Sequence, residues 1–404
     1  KTGMDMECGS AMPAIPEAIK RGLISEEELN EGVTKVMEYR YMMGDMDGES
    51  KWDDISHDKL CSPEHAALAL KIAHESIVLL ENDGILPLKK SEKVLLMGPN
   101  ADEVVMMLGN YNGFPLESVS LYEALKRRGA DVKYLPGVPY VAGLTTSAAK
   151  GDVSMKAAYD PEDTDFDYDS FVRATEGYQT VIFAGGIVNA PGFKGGDRTS
   201  IELPEVQKKL MKALKEAGKR VILVNFSGSA MAFADESENC EAIVQAWYLG
   251  QEGSVAVADV LYGDVNPSGK LPLTFYADDS QLADYENYDM KGRTYRYFDG
   301  KPLFPFGHGL SYTTFKFGKA KVVAAADGKI EFVVKVQNTG KRDGDDVVQL
   351  YVSRPDDAEG PIKTLRGYKR VSLKAGESAE VRIPIDEETF LWWNPATGRM
   401  NPLD

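Results

Sequence analysis

The sequence predicts a multidomain chain in which an α/β domain with a mainly parallel sheet precedes an all-β sandwich. Three observations predict it. Between about 91 and 265, short apolar runs alternate with amphipathic stretches, the pattern of parallel strands connected by helices. From about 315 the apolar period falls to two, in Ile330, Phe332, Val334 and Val336, then Val348, Leu350 and Val352, then Val381, Ile383 and Ile385. That alternation belongs to strands with one buried face. The chain has 404 residues, 43% hydrophobic and 27% charged, which suits two or three domains with real cores and excludes a disordered chain.

Residues 1–50 open on the small-residue turn Gly3-Met4-Asp5-Met6-Glu7-Cys8-Gly9-Ser10 and continue as two helical stretches. In the second, Ser25 and Glu28 form a capping box, and Leu29, Val33, Val36 and Met37 share a helical face. The segment reads as the edge of a domain whose main body lies before Lys1. Residues 51–90 read as a linker region with an amphipathic helix over 61–80, its apolar positions including Ala66, Leu70, Ile77 and Leu80. Turn residues Asn82-Asp83-Gly84 and then Pro87 end it.

Residues 91–280 form the α/β domain, with buried strands over 94–98, 181–186, 221–226 and 242–248. Its clearest helix spans 204–218, with Val206, Leu210, Ala213, Leu214 and Ala217 on one face, proline at the start and glycine at the end. Ligands of such sheets meet loops at the carboxyl ends of strands, here 98–102, 185–196, 227–229 and 249–253. Residues 281–314 form an aromatic linker expected to pack across a domain boundary, and 315–404 the β-sandwich.

Charge excludes some partners. With 46 Lys+Arg against 63 Asp+Glu the net charge is −17, which argues against nucleic acid and anionic membranes, since both reward clustered positive charge. No apolar run reaches the roughly 18–20 residues of a membrane helix. A neutral ligand such as a sugar fits, and a homo-oligomer remains open. Cys8, Cys61 and Cys240 are too few and too scattered for a disulfide framework. His57, His65, His74 and His308 match no metal-ligand spacing such as HExxH, so zinc is not expected. No signal stretch is visible after Lys1, and the chain reads as the downstream part of something longer.

The chemical signals are individually weak. Ser227 and Ser229 follow a strand, but Asn225-Phe226-Ser227-Gly228-Ser229 lacks the first glycine of a nucleophile elbow, so a polar loop is the better reading. Gly185, Gly186, Gly192, Gly195 and Gly196 match no phosphate-binding pattern. The pair Asp197-Arg198 reads first as a loop salt bridge or cap and second as a substrate contact. Asp5 and Glu7 would point to one side of an extended strand, yet spacing alone nominates no pair of catalytic carboxylates.

Several strings together resemble glycoside hydrolase family 3. Gly3-Met4-Asp5-Met6-Glu7-Cys8-Gly9 resembles its last barrel strand. Glu75-Ser76-Ile77-Val78-Leu79-Leu80-Glu81-Asn82 with Leu86-Pro87-Leu88 resembles the start of its second domain, and Gly98-Pro99-Asn100-Ala101 follows as expected. Gly196-Asp197-Arg198-Thr199 to Leu203-Pro204 is similar to another family segment. Asn266-Pro267-Ser268-Gly269-Lys270-Leu271-Pro272 and Phe304-Pro305-Phe306-Gly307-His308-Gly309-Leu310-Ser311-Tyr312 are two of its most specific signatures. Asn338-Thr339-Gly340 and Leu365-Arg366-Gly367-Tyr368 resemble its fibronectin-III-like domain.

The resemblance implies the tail of a (β/α)8 barrel, an α/β sandwich and a fibronectin-III-like β-sandwich. It implies a retaining, exo-acting β-glycosidase, secreted or periplasmic, that cleaves oligosaccharides without a cofactor. The nucleophilic Asp would lie in the barrel upstream of Lys1. The acid/base Glu would lie in a loop near Ile187-Val188, yet Ile187-Val188-Asn189-Ala190-Pro191-Gly192-Phe193-Lys194 contains no Glu. Either a segment belonging there is absent from this sequence or the protein has lost its acid, and in both cases this chain alone should be inactive.

Leu108-Gly109-Asn110-Tyr111-Asn112-Gly113 resembles the β-xylosidase branch. Cys8 fits that branch too, where such a cysteine can pair beside the nucleophile and narrow the sugar pocket against glucose; a small core residue is the equal alternative. Glu7 either bonds a sugar hydroxyl or caps the following turn. Substrate contacts implied are therefore Glu7, Cys8, Asp197 and Arg198. A β-glucosidase, a mixed xylosidase and arabinofuranosidase, and a non-catalytic carbohydrate-binding or scaffold protein are the alternatives.

Overall fold

The computed structural model describes residues 6–7, 9–46, 50, 52–108, 113–139, 166–187, 200–324, 330–394 and 396–402. The chain divides into two compact units, 1–65 and 66–404.

The first unit holds α1 (Ile15–Lys20) and α2 (Glu26–Met42). Ser25 and Glu28 close the expected capping box, each side chain accepting the other's backbone N–H, which satisfies two orphan donors at the helix start. No residue of α1 or α2 is buried. Val33, Tyr41 and Met42 on α2 are 49%, 58% and 82% exposed, so its apolar residues have no core within this unit. Helix α3 (Pro63–Ser76) starts at the boundary and runs into the second unit.

The second unit is built on a six-stranded sheet in the order β1-β6-β5-β4-β2-β3. Its strands are β1 (Val78–Asn82), β2 (Val94–Met97), β3 (Val132–Tyr134), β4 (Thr180–Gly186), β5 (Arg220–Phe226) and β6 (Ala242–Gln245). Successive residues feed opposite cores. Leu79, Val94, Leu96, Ile182, Ala184, Ile222, Val224 and Val244 pack on one face with Ala73 of α3, α4 (Leu121–Arg127) and α8 (Gly253–Tyr262). Val78, Leu80, Leu95, Val181, Phe183, Leu223 and Ile243 pack on the other, with α6 (Glu205–Glu216) and with Phe171 of α5 (Tyr168–Arg173). A sheet covered on both faces needs apolar residues at every position, which is why these strands read as unbroken runs.

Two expectations are corrected here. The helix expected over 61–80 ends at Ser76, and Val78–Asn82 is an edge strand pairing antiparallel with β6. The run Ile77-Val78-Leu79-Leu80 is buried on all sides, and periodicity cannot tell a fully buried strand from a helix. The sheet is therefore mixed. The helix expected over 204–218 is α6, but its buried residues are Val206, Gln207, Leu210, Met211 and Leu214. Ala217 is its exposed C-cap.

Helix α7 (Ala234–Asn239) lies between β5 and β6, and α9 (Thr294–Tyr297) within the aromatic connector, which leads to β7 (Phe315–Phe317) and β8 (Lys321–Ala324). The sandwich continues with β9 (Ile330–Asn338), β10 (Gly344–Val352), β11 (Thr364–Leu373), β12 (Ser378–Ile385), β13 (Leu391–Asn394) and β14 (Arg399–Pro402). The period-two residues meet as expected: Val381 pairs with Val334 and Ile383 with Phe332, and Val336, Val348 and Leu350 join them in one core. The connector ties both layers together. Leu310 N donates to Leu79 O at 2.8 Å, and His308 Nε2 bonds Leu80 O at 2.8 Å. On its other side Phe306 stacks on Tyr295 at 4.1 Å between ring centroids, and Gln349 of β10 donates to Gly307 O at 3.1 Å.

Candidate functional site

Strand order locates the site. From β2 the chain steps to β3 on one side, then returns to place β4 on the other side of β2. The crevice outside the carboxyl ends of β2 and β4 is the switch point where open α/β sheets bind ligands. The loops leaving these strands begin at Gly98 and Ile187.

The backbones approach closely there. At Gly98 (φ +113°) an added Cβ would lie 2.3 Å from Ala184 O, and at Gly186 (φ +125°) 2.1 Å from Phe226 O. Only glycine combines that conformation with that clearance. Asn100, fully buried, bridges the crevice: its N–H donates to Ala184 O at 3.0 Å and its Nδ2 to Gly185 O at 2.8 Å. Asp102 accepts from Ser120 Oγ at 2.6 Å, and Ser120 Oγ also caps α4 through Glu123 N at 3.2 Å.

The end of β4 is clamped. Gln207, fully buried on α6, accepts from Gly186 N and donates to Gly186 O, both at 2.9 Å. Ile187 N donates to Phe226 O at 3.1 Å, and Tyr248 Oη donates to Ile187 O at 3.1 Å. Past the segment 188–199 the chain is held again: Ile201 N donates to Asp279 Oδ1 and Ala232 N to Ile201 O, both at 2.8 Å.

After β5, Ser227 Oγ accepts from Asn225 Nδ2 at 2.8 Å and from Gln245 Nε2 at 3.1 Å, and donates to Ser229 O at 3.0 Å. No imidazole is among these partners. The hydroxyl belongs to a buried amide network, and among the described residues none of its partners is the base a nucleophilic serine needs. After β6, Trp247 holds φ +52°, an uncommon strain for a bulky residue. Its indole donates to Ser76 O at 3.0 Å.

A polar hollow of about 170 Å³ lies beside α6 and α7, lined by Glu202, Lys208, Asp235, Glu236 and Asp278 among others. Lys208 Nζ meets Glu202 at 2.5 Å, Glu205 at 3.2 Å and Asp235 at 3.4 Å. Burial alone would lower the Lys208 pKa, but Glu202 and Glu205 outweigh it and push it up. Glu236 is 2% exposed, and its Oε1 has no hydrogen-bond partner among the described residues. Burial first, then the negative charge of Asp235 and Glu202, pushes its carboxyl from an ordinary 4.5 to about 8. Near neutral pH it is largely protonated.

Of the residues expected to contact substrate, Glu7 accepts from Met12 N at 2.5 Å, the turn-capping arrangement. Cys8, Asp197 and Arg198 lie outside the described residues, as do Asp5, all of Gly109-Asn110-Tyr111-Asn112 and the Glu-free loop from Val188 onward. Sequence reasoning missed Gln207, Glu236 and the Asn225–Ser227–Gln245 network. The available signal was polar type at buried spacing: Gln207 is adjacent to Val206 and three residues before Leu210. Among the described residues, no group of three His, Cys, Asp or Glu side chains is placed to hold a metal ion. None of the described helices is long and apolar enough to cross a membrane.

Residues 77–312 match the glycosyl hydrolase family 3 C-terminal domain, and 346–401 the fibronectin type III-like domain. The chain is 37% identical to a xylan 1,4-β-xylosidase of Xylanibacter ruminicola over 540 aligned positions, covering 98% of this chain and 62% of that protein. It is 33% identical to a periplasmic β-glucosidase of Salmonella typhimurium, covering 98% of this chain and 55% of the relative. Among solved structures, a β-glucosidase of Erythrobacter marinus superposes with a TM-score of 0.75 at 31% identity, over 96% of this chain and 54% of that one. The chain thus spans little more than half the length of these proteins. With the α/β domain match covering the sheet and its switch point, the chain belongs to glycosyl hydrolase family 3, carrying that family's C-terminal domain and a fibronectin type III-like domain.

Proposed function

We propose that this chain is the C-terminal portion of a retaining, exo-acting β-glycosidase, a β-xylosidase acting on oligosaccharides of plant polysaccharide. Residues 1–50 are then the tail of a (β/α)8 barrel whose upstream part carries the nucleophilic Asp. The exposed apolar residues of α2 support that reading. The acid/base Glu belongs to the loop leaving β4, and Glu7, Cys8, Asp197 and Arg198 contact the sugar. The carrying observation is the clamp on Gly186 and Ile187 at the switch point, which holds the start of the loop leaving β4 and so supports a catalytic carboxylate on it. Hydrolysis needs two carboxylates held a set distance apart, so one on a loop needs a rigid base.

The xylosidase choice rests on the Xylanibacter relative, whose alignment runs over 540 positions against the 404 residues here. That relative therefore carries residues within the matched span that this chain lacks, which supports a segment being absent from this sequence. The Salmonella relative favours a β-glucosidase as the second reading and supports a secreted or periplasmic location.

Intact mass of the purified protein, with peptide mapping across Gly186 to Asp197, comes first. A mass well above 44.4 kDa with Glu-bearing peptides there supports the reading, and faster release from aryl xyloside than from aryl glucoside or arabinofuranoside completes it. A mass equal to this chain, with no hydrolysis, replaces it with a non-catalytic carbohydrate-binding role.

A further inference from the structure

Where the connector meets the sandwich, α9, the loop 357–361, Thr364 and Arg366 of β11 and the β13–β14 hairpin line a cavity of about 320 Å³. Tyr297, Glu359 and Gly360 also line a second hollow of about 750 Å³, so the two lie side by side. These volumes fall in the range of small-molecule sites, roughly 300–1,000 Å³.

Four observations bear on what it holds. Arg296, Thr364 and Arg366 line the first cavity, and Arg296 Nε, Thr364 Oγ1 and Arg366 Nε are buried beside it with no hydrogen-bond partner among the described residues. Thr364 is only 8% exposed. Three such orphans in one place are unusual, because each buried unpaired group costs about 1–3 kcal/mol. Next, the walls are fixed. Trp392 Nε1 donates to Asp357 Oδ2 at 2.9 Å, Gly360 N donates to Asp357 Oδ1 at 2.9 Å, and Arg366 Nη2 donates to Leu391 O at 2.5 Å. Third, the lining keeps apolar surface in water: Trp393 is 58% exposed and its cross-strand partner Met400 46%. Last, the two hollows together are lined by three cationic side chains (Arg296, Arg366, Lys291) and four carboxylates (Asp357, Glu359, Asp289, Asp299), close enough to balance that charge selects neither an anion nor a cation strongly.

Unpaired donors, aromatic walls and balanced charge describe a site for an uncharged, hydroxyl-rich ligand with flat apolar faces. We infer that this cavity binds a stretch of neutral saccharide chain, with Thr364 and the two arginines directed at its hydroxyls and the tryptophan wall at its ring faces. The second hollow beside it suits the interior of a chain, whereas an exo-acting site takes chain ends.

Affinity electrophoresis tests this, using the whole protein in native gels cast with soluble xylan or with hydroxyethylcellulose. Choosing xylan as the first probe rests on the xylosidase reading; the second polymer separates the two claims. Retardation is expected in one or both gels, reduced at least twofold by Thr364→Val and by Trp393→Ala. Thr364→Val keeps the side-chain shape and removes an orphan hydroxyl, so its melting temperature should not fall. Trp393→Ala alters an exposed residue and serves if the valine variant misfolds. Retardation by hydroxyethylcellulose alone keeps the site and moves the sugar class of the proposed function from xylan to glucan. No retardation in either gel, or retardation unchanged in both variants, overturns the site even if aryl xylosides are cleaved.

Discussion

Gln207 holds Gly186 through both atoms of its amide. Gln207→Leu keeps roughly the volume and leaves Gly186 N and O buried without those partners. The expected loss is about 2–6 kcal/mol, from one to three for each orphaned group, read as a lower urea midpoint. Glu236 gives a prediction of opposite kind. Its folded-state pKa of about 8 lies above the ordinary 4.5, so the folded protein holds a proton there that the unfolded chain releases. That proton favours the fold fully below about pH 4.5, and the advantage is lost as pH rises to about 8, by up to about 1.4 kcal/mol per pH unit. Glu236→Gln mimics the protonated form at every pH. Its melting temperature should therefore gain on the parent between pH 5 and 8 and run parallel above; a constant difference across that window would show that Glu236 does not titrate there.

Elements explain how much of this fold was readable. The strands β2, β4, β5 and β6 were legible because residues such as Val181, Ile182 and Phe183 must be apolar on both faces of a covered sheet. The same property hid β1. Val78, Leu79 and Leu80 carry no polar side to set a period, and the preceding helical pattern ran on into them. The site was legible only where glycine marked it, since Gly98 and Gly186 are demanded by backbone contact. Gln207 was not, because a buried amide inside an amphipathic helix looks like an interruption of its apolar face until the strand end it clamps is known. The Ser227 network looked like a loop for a related reason: its meaning lies in Gln245, eighteen residues away and on the neighbouring strand. Gly186→Ala tests the contact directly. A Cβ 2.1 Å from Phe226 O at φ +125° forces β4 and β5 apart where seven residue pairs are in register. A loss above about 3 kcal/mol is expected from clash and backbone strain together, seen as poor recovery of folded protein. A melting point within a degree or two of the parent would mean the strand ends separate easily.

At the scale of the molecule, the sheet and the sandwich are held together by polar contacts that converge on the Asn266–Leu271 stretch. Asn266 Nδ2 donates to Asp343 O at 3.0 Å, and Arg370 Nη2 donates to Ser268 Oγ at 2.7 Å. Lys270 Nζ meets Asp346 Oδ1 at 2.8 Å and donates to Gly309 O at 2.7 Å. The side chains of Lys270 and Asp346 are 18% and 11% exposed, so the pair is largely shielded from water and salt. Removing one member of such a pair strands the other's charge, which costs more than the pair itself contributes. Lys270→Met should lose about 2–3 kcal/mol, less than a fully buried pair because some solvent reaches both groups. Since Asp346 begins the run that buries Val348 and Leu350 in the sandwich core, the damage should fall on the junction. Calorimetry of the parent should show the two layers melting together, and Lys270→Met should split that transition into two. Lys270→Met with Asp346→Asn removes the stranded charge and should recover over half the loss. If the double variant is no more stable than Lys270→Met, packing around the lysine stem, rather than the ion pair, joins the two layers.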